Sequence, residues 1–402
     1  MTDHRESLDK ALMSDMFAID TADQRRKLST SETMPGPWIE VGGRHMLNLG
    51  SNNYLGLAGN SDVRTAAADA AQTWGAGSSG SRLTTGNLPC FTDLEHSLAQ
   101  LKKCEDAVIF GSGYVTNVGV IQALVGPNDL VLSDALNHAS LIDGCRLSRA
   151  TVRVYRHADT EHLLTLLQDR TSFRRALILT DGVFSMDGDI APLPALCDVA
   201  EAHNAWIMVD DAHGTGVLGD TGGGCAEYFG VAARIAVHMG TLSKALGSAG
   251  GYVAGSRVLT EYLRNKARSF MFATAPVPAA AAAASAALRI VKLDPERRER
   301  CLSNAAFLRE RLTAAGCEVL PGITPIVPVI IGDTSAARSV AFALQLTGVW
   351  APAIRPPTVP EGSARLRCCV MADHTEAELQ TAADAIANAI HTCAQQTEFA
   401  FQ

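Results

Sequence analysis

Five short stretches of the chain set reactive side chains among glycines: GSGYVTN (111–117), DALNHASLIDG (134–144), DGVFSMDGDIAPL (181–193), DDAHGTGVLG (210–219) and GTLSKALG (240–247). Each suggests a chemistry. A glycine turn that opens a helix, here Ser112, Gly113 and Tyr114, directs backbone N–H groups at an anion, a phosphate above all. Asp210 and His213 at one strand end could be a metal site, an acid–base pair or a satisfied polar loop. Lys244 is an ammonium among glycine, alanine, hydroxyls and aliphatics, so it either reaches water from a surface turn or awaits an electrophile. Taken singly, each has a plainer reading: a turn that is only a turn, a capping His138, loop aspartates, a solvated lysine. A metal is the weakest choice, because no second His, Asp or Glu group has zinc or non-haem iron spacing.

A sheet could bring these stretches together. Short apolar runs recur from about residue 105: DAVIF (106–110), DLVLS (129–133), TVRVY (151–155), RALILTDG (175–182), AWIMVDD (205–211), IAVHMG (235–240) and GGYVAG (250–255). Their near-continuous hydrophobicity predicts strands covered on both faces, with helical stretches such as 159–170 and 193–204 between them. That alternation predicts an α/β domain with a mostly parallel central sheet, whose ligands bind beyond the carboxyl ends of the strands. A phosphate turn, an acid and a lysine then converge on one sheet edge. Pyridoxal 5′-phosphate, with a phosphate, a basic ring nitrogen and an aldehyde, uses all three. In that reading Lys244 forms the Schiff base and an aspartate keeps the pyridine nitrogen protonated. The small residues around the lysine clear room for a flat ring, and desolvation lowers the lysine pKa.

The bulk of the sequence agrees. Its 402 residues exceed one compact core, which predicts a large domain with a smaller one. The expected division is an N-terminal helix and hairpin segment at 1–55, a large cofactor-binding α/β domain at 56–290 and a small α+β domain at 291–402. Hydrophobic residues are 47% and charged residues 19%, a globular composition. A net charge of −8, with no run of Lys or Arg, argues against a nucleic-acid partner. The first twenty or so residues hold acids and no continuous apolar segment, and nothing later is apolar enough to span a bilayer. The alanine-rich stretch 275–293 reads as a close-packed helix begun by Pro278. Ten cysteines without a C-x-x-C pair fit free thiols in a reducing cytoplasm. The expectation is a soluble cytoplasmic enzyme with small-molecule substrates and no nucleic-acid or membrane partner.

An ordered set of motifs carries a family resemblance: NYLGL, GSRLTTGNLPCFTDLE, FGSGYVTN, NHASLIDG, TDGVFSMDGDIAPL, VDDAHGTGVLG, GTLSKALG and RLR. From about residue 40 to 390 the chain resembles the α-oxoamine synthases of the fold-type I (aspartate aminotransferase-like) pyridoxal-phosphate enzymes. Those enzymes condense an amino acid with an acyl thioester and release carbon dioxide. The resemblance implies that Lys244 is the Schiff-base lysine and the base for the α-proton. It implies Asp210 as partner of the pyridine nitrogen, His213 near the phenolic oxygen, and Ser185 contacting a cofactor oxygen. His138 would stack on the ring and face the developing oxyanion, with Ser112, Gly113, Tyr114 and Thr241 around the phosphate. Thr274, in FATAPVP, would reach the phosphate of a second subunit, which implies a homodimer. Arg367, in RLR, would clamp the amino-acid carboxylate with its bidentate fork.

The segment AIRPPTVP (353–360) resembles the branch that joins L-alanine to a pimeloyl thioester in biotin synthesis. There Arg355 would meet the pimeloyl chain or its end group, and Arg25 (or its neighbour Arg26) would match an N-terminal arginine of that branch. The thioester carrier, coenzyme A or acyl carrier protein, stays open. So do a sister branch that takes glycine or serine, a cofactor-free partner subunit and a ligand-sensing module. The text CCVMADHT departs from the family pattern by placing Asp373 beside His374. Asp373 is expected to point to solvent, since an unpaired buried acid is costly.

Overall fold

The computed structural model describes residues 4–21 and 24–400. The expected ranges 1–55 and 291–402 also take in residues 1–3, 22–23 and 401–402, which lie outside the described residues. Helix α1 (His4–Thr21) is followed by a hairpin of β1 (Trp38–Val41) and β2 (Arg44–Asn48), as WIEVGGRHMLNL predicts.

The seven apolar runs form one sheet. Its strands are β3 (Asp106–Phe110), β4 (Leu130–Asp134), β5 (Thr151–Tyr155), β6 (Ala176–Asp181), β7 (Trp206–Asp210), β8 (Val237–Thr241) and β9 (Gly251–Gly255), in the order β3-β9-β8-β7-β6-β4-β5. Strands β8, β7, β6, β4 and β5 pair in parallel, and β9 is antiparallel to both its neighbours. All strands but β9 therefore point the same way, and the five polar stretches all leave from one edge. Successive residues enter opposite cores, as the strand period requires. Leu130, Leu132, Ile178 and Ile207 pack on one face, Val131, Leu177, Leu179 and Met208 on the other.

Helices α2 (Ser61–Trp74) and α3 (Pro89–Lys102) lie against the helix Pro278–Leu293, which starts at its proline as expected. Its buried alanines, Ala281, Ala284 and Ala287 among them, bring the helix axes close. Helices α4 (Gly113–Leu124) and α5 (Ala139–Ser148) begin directly after the polar stretches that follow β3 and β4.

The C-terminal part holds β10 (Ile326–Gly332), β11 (Val349–Trp350), β12 (Ala353–Ile354) and β13 (Ala364–Cys369). β10, β13 and β12 make an antiparallel sheet backed by helices Pro295–Ala314, Thr334–Leu346 and Glu376–Ala400. The hairpin joins this part rather than standing apart. β2 pairs in parallel with β11 at Leu47↔Val349, and Leu47 and Leu49 share a core with Val327, Val349 and Leu366.

Candidate active site

The strand edge opens into a cleft of about 230 Å³ lined by residues from all five polar stretches. After β3 the chain turns and Ser112 caps α4, its Oγ accepting the Val115 N–H at 3.3 Å. The first N–H groups of a helix have no intrahelical acceptor, so the start of α4 is a place for an anion. Gly113 keeps it open beside Thr241, since a Cβ there would already stand 3.4 Å from the threonine. Thr241 donates to the Gly250 carbonyl at 2.8 Å. Tyr114, half exposed, donates to Asp143 and meets His138 edge-on at 6.4 Å.

Strand alternation parts the two aspartates of DDAHG. Asp210 lines the cleft and accepts from Asn117 Nδ2 at 2.6 Å and from the Ala212 N–H at 3.0 Å. Asp211 turns the other way and accepts from the buried ammonium of Lys102 at 2.6 Å. Asn117 also donates to Ser140 at 2.8 Å, so both its hydrogens are used in fixing the floor of the cleft. Asp181 stands in register with Asp210 on the adjacent strand. Burial, and then the charge of Asp210, push its carboxyl well above the usual range, against the opposing charge of Lys244. His138 is exposed at the cleft and also caps α5, its Nδ1 accepting the Ser140 N–H at 3.2 Å. This histidine therefore caps a helix and lines the cleft at once.

Lys244 follows β8 in a turn that rests on the NYLGL segment. Gly247 makes that contact possible, with φ of 59° and a position where a Cβ would lie 2.3 Å from the Ala58 nitrogen. The Lys244 Nζ is 2.7 Å from His213 Nε2. Burial lowers its ammonium to about 8 against the opposing pull of Asp210 and Asp181. His213 is itself held well below its usual range, first by burial and then by the charges of Lys244 and Arg367. Its Nδ1 lies 2.6 Å from the buried Tyr54 hydroxyl. Arg367, on β13, reaches the same region. Its Nη1 and Nη2 both lie 3.1 Å from Asn52 Oδ1, and its Nε donates to the Ser185 carbonyl.

Nine of the expected residues thus line one cleft: Ser112, Gly113, Tyr114, His138, Ser185, Asp210, His213, Thr241 and Lys244. Arg367 adjoins it through Ser185. Thr274 does not line it and lies exposed beside exposed Phe272 and Val277. Arg25 and Arg355 meet each other instead, Arg355 Nη2 donating to the Arg25 carbonyl at 3.1 Å. Arg355 borders a separate cavity of about 570 Å³ with Asp333, Ser335 and Glu361. Asp373 is exposed to solvent, as expected, and has a partner there. It is ion-paired at 3.1 Å with Arg297, which also donates to the Leu55 carbonyl at 2.8 Å, so the acid has a partner and ties the NYLGL segment to the helix Pro295–Ala314.

Among the residues at the site with no expected role are Asn52, Tyr54, Asn117 and Asp181. A signal existed for two. Asn117 sits one turn along α4 from Gly113, on the same face, and Asp181 ends a strand that neighbours the one ending in Asp210. Nothing local in sequence marks Asn52 or Tyr54, because their partners are hundreds of residues away. Among the described residues no group of three or more His, Cys, Asp or Glu could hold a metal ion, and no helix is long and apolar enough to cross a membrane.

Residues 44–386 match the family described as aminotransferase class I and II. The chain belongs to that family. Within the aminotransferase class I and II family it belongs with the α-oxoamine synthases. It is 49% identical over 366 residues to an 8-amino-7-oxononanoate synthase of Anaeromyxobacter dehalogenans, covering 91% of this chain and 92% of that relative. Its identity to a protein of the same description from Symbiobacterium thermophilum is 45% over 377 residues, covering 94% and 96%. Among solved structures, a Sphingomonas wittichii serine palmitoyltransferase superposes with a TM-score of 0.91 at 29% identity, over 98% of this chain and 99% of that one. An 8-amino-7-oxononanoate synthase from Francisella tularensis superposes with a TM-score of 0.73 at 26% identity, over 89% and 99%. These neighbours share the fold-type I architecture that the strand order here displays.

Proposed function

We propose that this enzyme condenses L-alanine with a pimeloyl thioester, releasing carbon dioxide and the free thiol and giving 8-amino-7-oxononanoate, with pyridoxal 5′-phosphate as cofactor. One observation carries the reading. A lysine lowered to about 8 faces a neutral histidine at 2.7 Å, in a cleft that also holds an open helix N-terminus and a buried aspartate. A phosphate, a pyridine nitrogen and an aldehyde each have a fitting partner there. A relative described as SPT is described with PLP at a TM-score of 0.90, and the relatives at 45–49% identity supply the substrate class.

When bound, the cofactor supplies an aldehyde that takes up an amine and a protonated ring that draws electrons from the adjoining carbon. The residues do the rest. With the cofactor bound, Ser112, Gly113, Tyr114 and Thr241 would hold the phosphate, Asp210 would serve the ring nitrogen, His213 and Ser185 the phenolic oxygen, and His138 the ring face. Arg367 grips the amino-acid carboxylate in two parallel hydrogen bonds and so fixes which α-substituent stands toward Lys244. Lys244 Nζ, in its neutral form, takes the α-proton and later returns one after carbon dioxide has left. His138 presents an N–H to the oxygen that gains charge as the thioester is attacked.

The acyl donor enters on coenzyme A or on an acyl carrier protein. Arg355 supports an anionic far end on that donor, because burial and then the charges of Arg338 and Arg26 lower its pKa, the mark of cations gathered together. A homodimer with shared sites is supported by Thr274, exposed among exposed Phe272 and Val277, and by α1, which exposes Leu8, Leu12, Met13 and Phe17. Ten free cysteines support a reducing cytoplasm. A serine-using reading is favoured by the TM-score of 0.91 to serine palmitoyltransferase, but identity to that protein is 29%, against 49% for the alanine-using relative.

The test is mass spectrometry of products from pimeloyl-CoA and from a pimeloyl carrier protein, each with alanine, glycine or serine, and from serine with palmitoyl-CoA. Condensation product from alanine and a pimeloyl donor, absent with Lys244→Ala, is expected. Turnover confined to serine or glycine would overturn the substrate assignment, and full activity of Lys244→Ala would overturn the mechanism.

A further inference from the structure

The cleft contains a directional chain of hydrogen bonds that the residues expected from sequence do not include. It starts at Arg367, whose Nη1 and Nη2 both donate to Asn52 Oδ1 at 3.1 Å, so the atom there is the amide oxygen. The Tyr54 hydroxyl stands 3.1 Å from the same oxygen. A carbonyl oxygen can only accept, so the single phenol hydrogen is directed to Asn52. The phenol oxygen then has only lone pairs left for His213 Nδ1, at 2.6 Å. The ring nitrogen must therefore carry the hydrogen. Burial keeps this imidazole neutral, so it has one hydrogen and Nε2 is bare. That bare nitrogen faces Lys244 Nζ at 2.7 Å and accepts from it.

We propose that Tyr54 is a positioning residue that fixes His213 as the Nδ1–H tautomer, so that the carboxylate clamp Arg367–Asn52 is coupled through His213 Nε2 to the proton on Lys244. Tyr54 is suited to the task because it is fully buried and because burial pushes its phenol up, well clear of ionisation. The coupling has a direction. An amino-acid carboxylate on Arg367 competes with Asn52 for the guanidinium, which leaves the amide oxygen freer for the phenol. Each bond in a chain polarises the next, so the Nε2 lone pair becomes a stronger acceptor for Lys244 when substrate arrives. The other charged or titratable groups that bear on Lys244 are Asp210, Asp181, Arg367, Cys369 and His138; Arg367 also interacts with the Tyr54 phenol, so the tautomer readout rather than the Lys244 titration isolates the chain.

The coupling rests on the reading of Lys244 as the base, but the tautomer does not, and it can be measured without substrate. Full-length protein labelled with ¹⁵N-histidine is examined by long-range ¹H–¹⁵N correlation, with His213→Gln identifying the signal. Wild type is expected to show a pyrrole-like Nδ1 and a pyridine-like Nε2. Tyr54→Phe is expected to lose that bias. In protein freed of cofactor, where the Lys244 amine is free, it should also move the Lys244 titration, read by pH-dependent amine labelling and peptide mass spectrometry, down by roughly half a pH unit or more, the size of one lost hydrogen bond. Asn52→Ala removes the phenol's acceptor and frees its hydrogen for Nδ1, so His213 is expected to invert to the Nε2–H tautomer. If Tyr54→Phe does not fold, this inversion decides the matter. An unchanged tautomer in the folded Tyr54→Phe protein, or in Asn52→Ala, would overturn the proposal and leave the assigned reaction untouched.

Discussion

An amine that burial lowers to about 8 is a usable base in neutral water, and on the proposed mechanism Lys244 would set the pH response of the enzyme. Because burial lowers the folded pKa from 10.5 to about 8, the neutral form appears as pH rises through 8 and is lost below it. The pH profile of kcat is expected to rise to a plateau with an apparent pKa near 8, and a flat profile from pH 6 to 9 would remove Lys244 from the proton transfer. Arg367 makes a different prediction. Arg367→Lys keeps the charge but loses the planar fork, so the KM for alanine should rise by roughly tenfold or more while kcat changes less. Steady-state kinetics at saturating thioester reads the split, and an unchanged KM would place the carboxylate elsewhere.

At the scale of elements, one buried ion pair and one partly exposed histidine bridge hold the strand ends in place. Lys102 at the end of α3 donates to Asp211, to Thr215 and to the Gly223 carbonyl at 2.6, 3.0 and 2.7 Å. Lys102→Met would strand the Asp211 carboxylate in the core and is expected to cost about 3–5 kcal/mol in urea unfolding. His157 bridges Asp134, at the end of β4, and Asp189, in the loop that carries Ser185, at 3.0 and 2.8 Å. Burial opposes its charge, yet the two carboxylates carry it up to about 10. A folded pKa above the unfolded one contributes stability that is complete below about 6.5 and disappears as pH rises through 10. His157→Gln should therefore be less stable than wild type by roughly 1–2 kcal/mol at pH 6, and the gap should shrink toward pH 10.5.

How much of this could be read in advance follows from where each partner lies. DAVIF matched its predicted limits because an apolar run covered on both faces announces itself locally, whereas TVRVY, also right in its limits, is an edge strand that leaves Val152 and Val154 exposed, against its expected cover on both faces. The helical stretch at 159–170 did not hold: the helix ends at Leu166 and a 3₁₀ turn follows at Arg170–Ser172. The lysine, the phosphate turn and Asp210 were legible because each follows its own strand and all those strands point one way. Tyr54 and Asn52 were not, since their meaning comes from His213 and Arg367, which tertiary packing alone brings near. Asp373 is exposed as expected, but its ion pair was hidden for the same reason: Arg297 is distant in sequence.

For the whole molecule, the exposed apolar residues raise the question of what covers them. Phe272 and Val277 flank Thr274, and Leu83 on the neighbouring segment is also exposed. Phe272→Asp is expected to shift the protein from dimer to monomer in light scattering and to weaken cofactor retention in the same samples. A variant that stays dimeric and keeps the cofactor would move the interface off this face.

The pairing of β2 with β11 bears on how the chain is made. The large sheet has all its strands once residue 255 has been synthesised, but the Leu47 and Leu49 N–H groups, on the side of β2 away from β1, must wait for Gly348 and Trp350 before they are paired. During translation the hairpin is an unfinished edge with two core leucines and no core to enter, a natural client for a chaperone on the ribosome. The enzyme's first folded-looking segment is among the last to be completed.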